Sequence, residues 1–532
     1  DVVLPKAGDA RQITLEAGPR GSQRVKAQLG QDKGTFKQLL LVNGTSEEGY
    51  RDESGFDQQK VSYLYNYTTA NGWELDGGVT HINLNQETAG FVTGFESYKG
   101  ATRTGNPNPE AYRDSKNTRI WTSASKTLGE WDVVITPYIR DVDMTFMQHF
   151  LPGQPIEETQ QQSVGLQSAA YTDLANGAQL AVGFDAEITD GYLAQTQPNP
   201  TEGSFFIRNS IPQGKHYDYQ VDAEQVAAFV SYEQSFDSGW DLSLGLRVED
   251  TNYDYDNLMI DGRTDENGVA CRFGCRYNRP ADRSDSFTNF SPKLGLSYAL
   301  NDNHSLQLRA QRGFRAPQAS EMYRLQNDQN IADLDSVELD SYEVEFKGAG
   351  AGWAYSASYY FMDKKNEIVT NSARENLNDS HTQHTGLEFS LGLDITETLA
   401  LAAVYNLADH SYENSVISGD IDILGNAVDT APRKFGNVRL RWTPSERVTS
   451  ELELVSMGEY YTNPENTASY SGHNLLNLRT QYTVNDSVQI YANILNLDNR
   501  EYAERADWTT FTDDRYFPGE PRRAFIGVTF NY

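Results

Sequence analysis

Along most of the chain, apolar and polar residues alternate singly. In SLQLRAQR (residues 305–312), Leu306, Leu308 and Ala310 share one face while Gln307, Arg309 and Gln311 share the other. The same period recurs with Leu242, Leu244, Leu246 and Val248 against Ser243, Gly245, Arg247 and Glu249. It returns with Tyr342, Val344 and Phe346 against Glu343, Glu345 and Lys347, and with Val438, Leu440 and Trp442 against Asn437, Arg439 and Arg441. A period of two is the mark of a strand with unlike faces. In a soluble sandwich the apolar face turns to a core; in a membrane barrel it turns to lipid and the polar face lines a lumen. Alternation alone therefore predicts an all-β chain and leaves its solvent open.

The connections between strands decide between the two. Tight turns rich in Gly, Asn and Asp recur at QDKG (from Gln31), TANG (Thr69), LGE (Leu128), ANG (Ala175), DSG (Asp237), NDN (Asn301), GAGAG (Gly348), ITE (Ile395), PSER (Pro444) and VNDS (Val484), as hairpin turns require. Between them lie long connections, the clearest at residues 87–116, 151–162, 195–221, 250–286, 317–340, 371–383, 409–432, 462–472 and 500–521. A sandwich has no reason to gather its long loops at one end, whereas an outer-membrane barrel keeps short turns on the periplasmic side and long loops outside. Ten short turns separate eleven hairpins, which predicts a transmembrane antiparallel up-and-down β-barrel of 22 strands with both termini periplasmic. Closure removes the unpaired edges that lipid does not tolerate. In RRAFIGVTFNY, Ala524, Ile526, Val528, Phe530 and Tyr532 form a last lipid-facing row. Pro317 marks a point where the chain leaves the wall, since proline cannot donate to a ladder.

Composition sharpens this picture. The 532 residues are only 38% hydrophobic, yet Tyr (31), Phe (23) and Gly (42) are abundant, a mixture suited to strands and turns. No apolar run approaches the length of a transmembrane helix. Asp1 opens no signal-peptide pattern, which fits a mature or trimmed chain. Acidic residues number 75 against 44 basic ones, and the stretch from Asn327 to Glu345 holds seven carboxylates and no Lys or Arg. Phosphate backbones are repelled by such a charge, so nucleic acid is not an expected partner. The two cysteines, Cys271 and Cys275 in CRFGC, lack the further ligands of a zinc site. They read as a short loop disulfide, which implies an oxidising compartment.

Several segments resemble the barrel of TonB-dependent outer-membrane receptors: SPKLGLSYAL followed by GFRAPQASEMY, EEGYRDESGFDQQ (47–59), ANILNLDNREYAE (492–504) and the terminal PRRAFIGVTFNY. The resemblance implies a bacterial outer-membrane importer of a scarce nutrient, driven by TonB through an N-terminal plug that fills the barrel. Strand alternation begins at Arg11 (RQITLEAG), so residues 1–10 are expected to be a residual linker from a plug absent in this chain, and residues 11–532 a single barrel. Receptors that resemble this one commonly carry a histidine soon after the FRAP stretch. Here the next is His381, which places a metal chelate such as a ferric siderophore ahead of haem. A passive pore without a plug, or a surface adhesion or phage-docking protein, are the alternatives.

No GxSxG, HExxH or Walker-type loop is present, so neither enzyme activity nor a cofactor is expected. The expected partners are a small nutrient or chelate, outer-membrane lipid and TonB, with the barrel a monomer. Ligand contacts are expected from aromatic and basic loop residues: Arg113, His216, Tyr217, Tyr323, Arg324, Trp508 and Tyr516. Three segments invite a metal. MTFMQH (144–149) sends Met144 and Met147 to opposite faces of a strand, HTQH (381–384) has the same parity and reads as loop histidines, and GDIDILGNAVD (419–429) lacks the closing Glu of a calcium loop. No metal site is expected from them.

Overall fold

The computed structural model describes residues 6–370, 374–418 and 421–532. Its main sheet has 22 strands. Consecutive strands pair antiparallel, from Arg11–Ala17 and Gln23–Asp32 onward to Val488–Leu495 and Arg523–Asn531. The last strand returns to the first, with Leu15 opposite Val528 and Ile13 opposite Phe530, so the sheet closes into a barrel without an edge.

The period of two sets the two surfaces. Leu244, Leu246, Val230, Val344, Phe389 and Leu407 are exposed on the outside, where only lipid suits them. Aromatic residues gather beside the short turns: Trp240 against Tyr298 with centroids 4.5 Å apart, and Trp353 against Tyr355 at 5.8 Å. This is the girdle expected at a membrane interface. The inner face carries ion pairs set by register. Arg247 joins Asp185 (2.5 Å) and Glu249 (2.9 Å), Arg479 joins Glu453 (2.7 Å) and Glu451 (3.5 Å), and Arg309 lies 3.4 Å from Glu343 and 3.6 Å from Glu345. Some inner rings lie flat on glycines of the next strand. A Cβ on Gly165 or Gly386 would come within 2.2 or 2.4 Å of Tyr138 or Tyr360.

The turns fall where alternation places them, but the long connections are shorter than the pattern suggests. The strand Ile156–Asp173 occupies most of the stretch read as a connection up to residue 162, and Asn376–Thr396 occupies most of that read as 371–383. Height above the membrane explains the difference. Nine to eleven residues cross a bilayer, whereas Gly214–Ser235 has 22. Beyond lipid, the outer face becomes polar while the ladder continues, and Asp190, Asp222 and Asp254 stand in one cross-strand row. Alternation stops marking a strand whose two faces both meet water.

Candidate ligand-binding mouth

The long connections fold onto each other and form two side-chain clusters at the mouth. The first joins the upper parts of Gln179–Gln197, Gly214–Ser235, Trp240–Asn257 and Arg283–Asn301 to the segment after Pro317. That segment leaves the wall after Arg315, turns through a short helix Ala319–Tyr323 held by a capping box from Gln318 and Glu321, and pairs Leu325–Gln326 with Tyr277–Asn278. Arg315 clamps Glu321 at 2.8 and 3.0 Å, a bidentate contact that fixes the turn. Inward-facing Tyr217, Tyr219 and Val221 meet Met322, Tyr323, Leu325 and Leu334 in a buried core.

Four of the residues expected at a ligand site meet in this cluster. Tyr323 is fully buried, stacked on Tyr255 with centroids 4.2 Å apart, and donates to Asp285 at 2.8 Å. Tyr217 donates to the Leu325 carbonyl. Arg324 reaches across to Glu157 at 2.8 Å and lies 5.8 Å over the Tyr217 ring. His216 stacks on Tyr277 at 3.9 Å and bonds the Pro212 carbonyl at 2.8 Å. Burial pushes the His216 imidazole down to about 4 and raises the phenols of Tyr217 and Tyr323 well above their usual range, because a charged form loses its water there. Beside them, Arg279 is 2% exposed and spends its guanidinium on the carbonyls of Ile260, His216 and Thr264. Cys271 and Cys275 form a disulfide at the tip of the same loop, where Arg272 lies over Phe205 and Phe273.

The second cluster packs Val92, Tyr98, Tyr460, Tyr470, Ala503, Ala506 and Tyr516. A small sheet of Ala503–Thr509, Asp513–Pro518 and Val92–Thr93 builds it. Tyr516, buried here, meets Tyr98 at 4.8 Å. Trp508 sits on the same hairpin, half-buried, with its backbone N–H on the Thr462 carbonyl at 3.0 Å.

Next to this cluster opens a recess of about 490 Å³, lined by Phe91, Asn106, Asn108, His149 and Phe150 among others. Arg515 lies 4.5 Å over Phe91 on one side. On the other, Arg113 lies 4.5 Å over Phe146, whose ring touches His149 and Phe150. Among the described residues, Arg113 Nε and His149 Nδ1 are buried without a hydrogen-bond partner. Arg515 is spent on the Asp507 carboxylate, so the aromatic walls, the Arg113 guanidinium and the unspent polar groups are what suit a flat, anionic ligand.

Tyr255, Tyr277, Phe91, His149 and Phe150 were not among the expected residues. Tyr255 was within reach, because it shares the inward parity of its strand; the others join the site only through loop folding. Met144 and Met147 do point to opposite faces, since their strand continues to Met147. The HTQH histidines are corrected from loop to strand. They stand on Asn376–Thr396, His381 against Asp363 and His384 against His410. In GDIDILGNAVD, Gly419 and Asp420 lie outside the described residues, Asp422 accepts from Ser415 at 2.8 Å, and Asp429 is engaged separately by Tyr412 at 2.8 Å. Among the described residues, no three His, Cys, Asp or Glu side chains converge.

A closed 22-stranded barrel with short turns at one end and a folded mouth at the other is the architecture of an outer-membrane receptor barrel. This chain belongs to the TonB dependent receptor-like, beta-barrel family, whose model matches residues 14–497. Its fold is similar to that of the siderophore receptor PiuA from Acinetobacter baumannii, with a TM-score of 0.81 and 14% identity over 100% of this chain and 82% of that one. It is also similar to the ferric-catecholate import receptor Fiu from E. coli K12 (TM-score 0.79, 14% identity, 99% and 82% covered). A third similar structure is the ferric yersiniabactin uptake receptor FyuA from Yersinia pestis (0.77, 15%, 100% and 81%). Identities of this size speak for the fold alone.

Proposed function

We propose that the protein imports a ferric siderophore or similar metal chelate across the outer membrane. The observation that carries this reading is the recess at the mouth, where Arg113 lies on an aromatic ring beside the unpartnered His149 nitrogen. Ferric chelates of this kind are bulky, flat-faced and often anionic, and such a recess complements them. Arg113 and Trp508, neither of them fully buried, meet the ligand; buried His216, Tyr217, Tyr323, Arg324 and Tyr516 hold the loops in the shape that receives it. The short-turn end, with both termini, faces the periplasm. An N-terminal plug, through which family members engage TonB, fills the lumen and gives partners to its charges. The structures similar in fold include three receptors named for siderophores or their ferric complexes, which supports the substrate class.

Titration of the purified protein with a ferric tris-catecholate and with ferric citrate, followed by tryptophan quenching, tests the reading. Binding of one of them that weakens tenfold or more in Arg113→Ala supports it. No binding of either, together with a steady open conductance in planar bilayers when the plug is supplied, would leave the passive-pore alternative in its place.

A further inference from the structure

Outside the recess, the wall itself brings metal-ligating side chains together. Met362, His384 and His410 form one cross-strand row, because the register sets Met362 opposite His384 and His384 opposite His410. Directly opposed residues share a face, with Cβ atoms about 4.5–5.5 Å apart. That face is the lumen, since the opposed pair Leu387 and Leu407, of the other parity, is exposed on the lipid side. The row also stands above the hydrocarbon: Asp409, next to His410 on the outer face, pairs with Arg433 at 3.1 Å while both side chains stay more than half exposed.

The Nδ1 atoms of His384 and His410 are 2.8 Å apart, and His384 Nε2 is 3.1 Å from Thr382 Oγ1. Both Nδ1 atoms cannot carry hydrogen at that distance, so at least one directs its lone pair at the other. Two imidazole nitrogens on a tetrahedral metal with bonds near 2.0 Å stand about 3.3 Å apart. A half-ångström opening would therefore exchange the shared proton for a cation. The charges near the pair are matched: Lys364 with Glu367, and Arg433 with Asp409. The third member of the row offers a thioether, and no carboxylate lies in the row. Imidazole with thioether favours a soft ion over Mg²⁺, Ca²⁺ or Mn²⁺.

We propose that Met362, His384 and His410 form a binding site for a soft monovalent d¹⁰ cation, of the copper(I) class, on the lumen wall just inside the mouth. This site does not depend on which chelate the receptor imports. Silver(I) is the probe, because it needs no reductant and so leaves the Cys271–Cys275 disulfide closed.

Calorimetric titration of the detergent-solubilised protein should find one Ag⁺ whose affinity falls tenfold or more in His384→Ala and in His410→Ala. It should fall at least threefold in Met362→Leu and stay unchanged in His304→Ala, a histidine packed near the short turns against Trp353. Silver K-edge absorption on the unsubstituted protein should show two nitrogens and one sulfur, a readout that does not depend on any variant folding. Affinity unchanged in either histidine variant, or a silver shell without sulfur, overturns the proposal.

Discussion

The wall and the mouth of this barrel use the same residue types in opposite ways. In the wall, Arg309 is close to half exposed and rests loosely between Glu343 and Glu345. In the mouth, Arg279 is buried and saturated by carbonyl oxygens, and among the described residues no carboxylate lies within ion-pair distance of it. Tyr65 in the wall bonds Thr122 at 2.7 Å while only part-buried, whereas Tyr323 in the mouth is fully buried under Tyr255. The wall is made by its backbone ladder, which closes on itself and asks of each side chain only the right parity. The mouth is made by its side chains. Exposed wall pairs are worth about 1 kcal/mol or less each, and a single mouth residue outweighs several of them.

The sharpest test of that contrast removes Tyr323. Tyr323→Ala deletes a buried ring and leaves Asp285 with Arg283 as its remaining partner, at a cost of about 3–5 kcal/mol. That cost should appear as faster hydrogen exchange over residues 319–334 and 277–278, with the heat-modifiable mobility of the barrel unchanged. Loss of the folded barrel itself would show that wall and mouth are not separate. Parity governs the second effect. Leu244→Arg places a guanidinium in lipid, four residues above the girdle residue Trp240, and should cost about 2–4 kcal/mol in urea titrations of the reconstituted barrel. Ser243→Arg, one residue away on the lumen face, should cost almost nothing. Equal costs would break the assignment of faces.

A pH effect follows from His216, confined to the mouth. Its pKa is held at about 4 by burial, against 6.5 when unfolded, with Arg279 and Arg276 opposing its charge and the Pro212 carbonyl favouring it. A depressed histidine leaves the folded state short of a proton between those values, so stability is full above about 6.5 and falls as pH drops toward 4. The loss amounts to up to about 3 kcal/mol. Hydrogen-exchange protection around Tyr277, corrected for the intrinsic pH dependence of amide exchange, should therefore fall as pH drops from 6.5 to 4.5, and His216→Gln should flatten that dependence. Unaltered steepness in the variant would assign it to other groups.

How much could be read from the sequence divides along the same line. Strand parity, the turns, the strand number and the closure are legible because a strand between lipid and lumen must alternate, and Leu244 beside Ser243 shows it in two letters. The signal fades where strands rise into water, which is why residues 156–162 read as a connection. In the mouth, the aromatic and basic residues could be named as a class, but not their roles. Tyr217 and Tyr323 meet through a chain excursion of more than a hundred residues, and nothing local marks them as core. His384 stands out in HTQH, but its pairing with His410 is not legible there for the same reason: only register brings them together.

The smallest expected effect belongs to the Cys271–Cys275 disulfide, and it locates the border between the two regions. Closing so short a loop removes little freedom from the unfolded chain, about 2 kcal/mol by loop entropy, and that freedom is local. The bond holds the tip where Arg272 covers Phe205 and Phe273, while Arg263 reaches from the same loop to the Cys275 carbonyl and, at 2.6 Å, to Asp328. Reduction should therefore loosen residues 258–276 and the helix Phe205–Arg208 that carries Phe205, and weaken chelate binding by no more than severalfold. It should leave the stacking of Tyr255 on Tyr323 and the heat-modifiable barrel as they were. Hydrogen exchange with and without reductant measures this directly. If protection were lost as far down as Leu294 in the wall, the mouth would be a stabilising part of the barrel, and the separation drawn from Arg309 and Arg279 would fail.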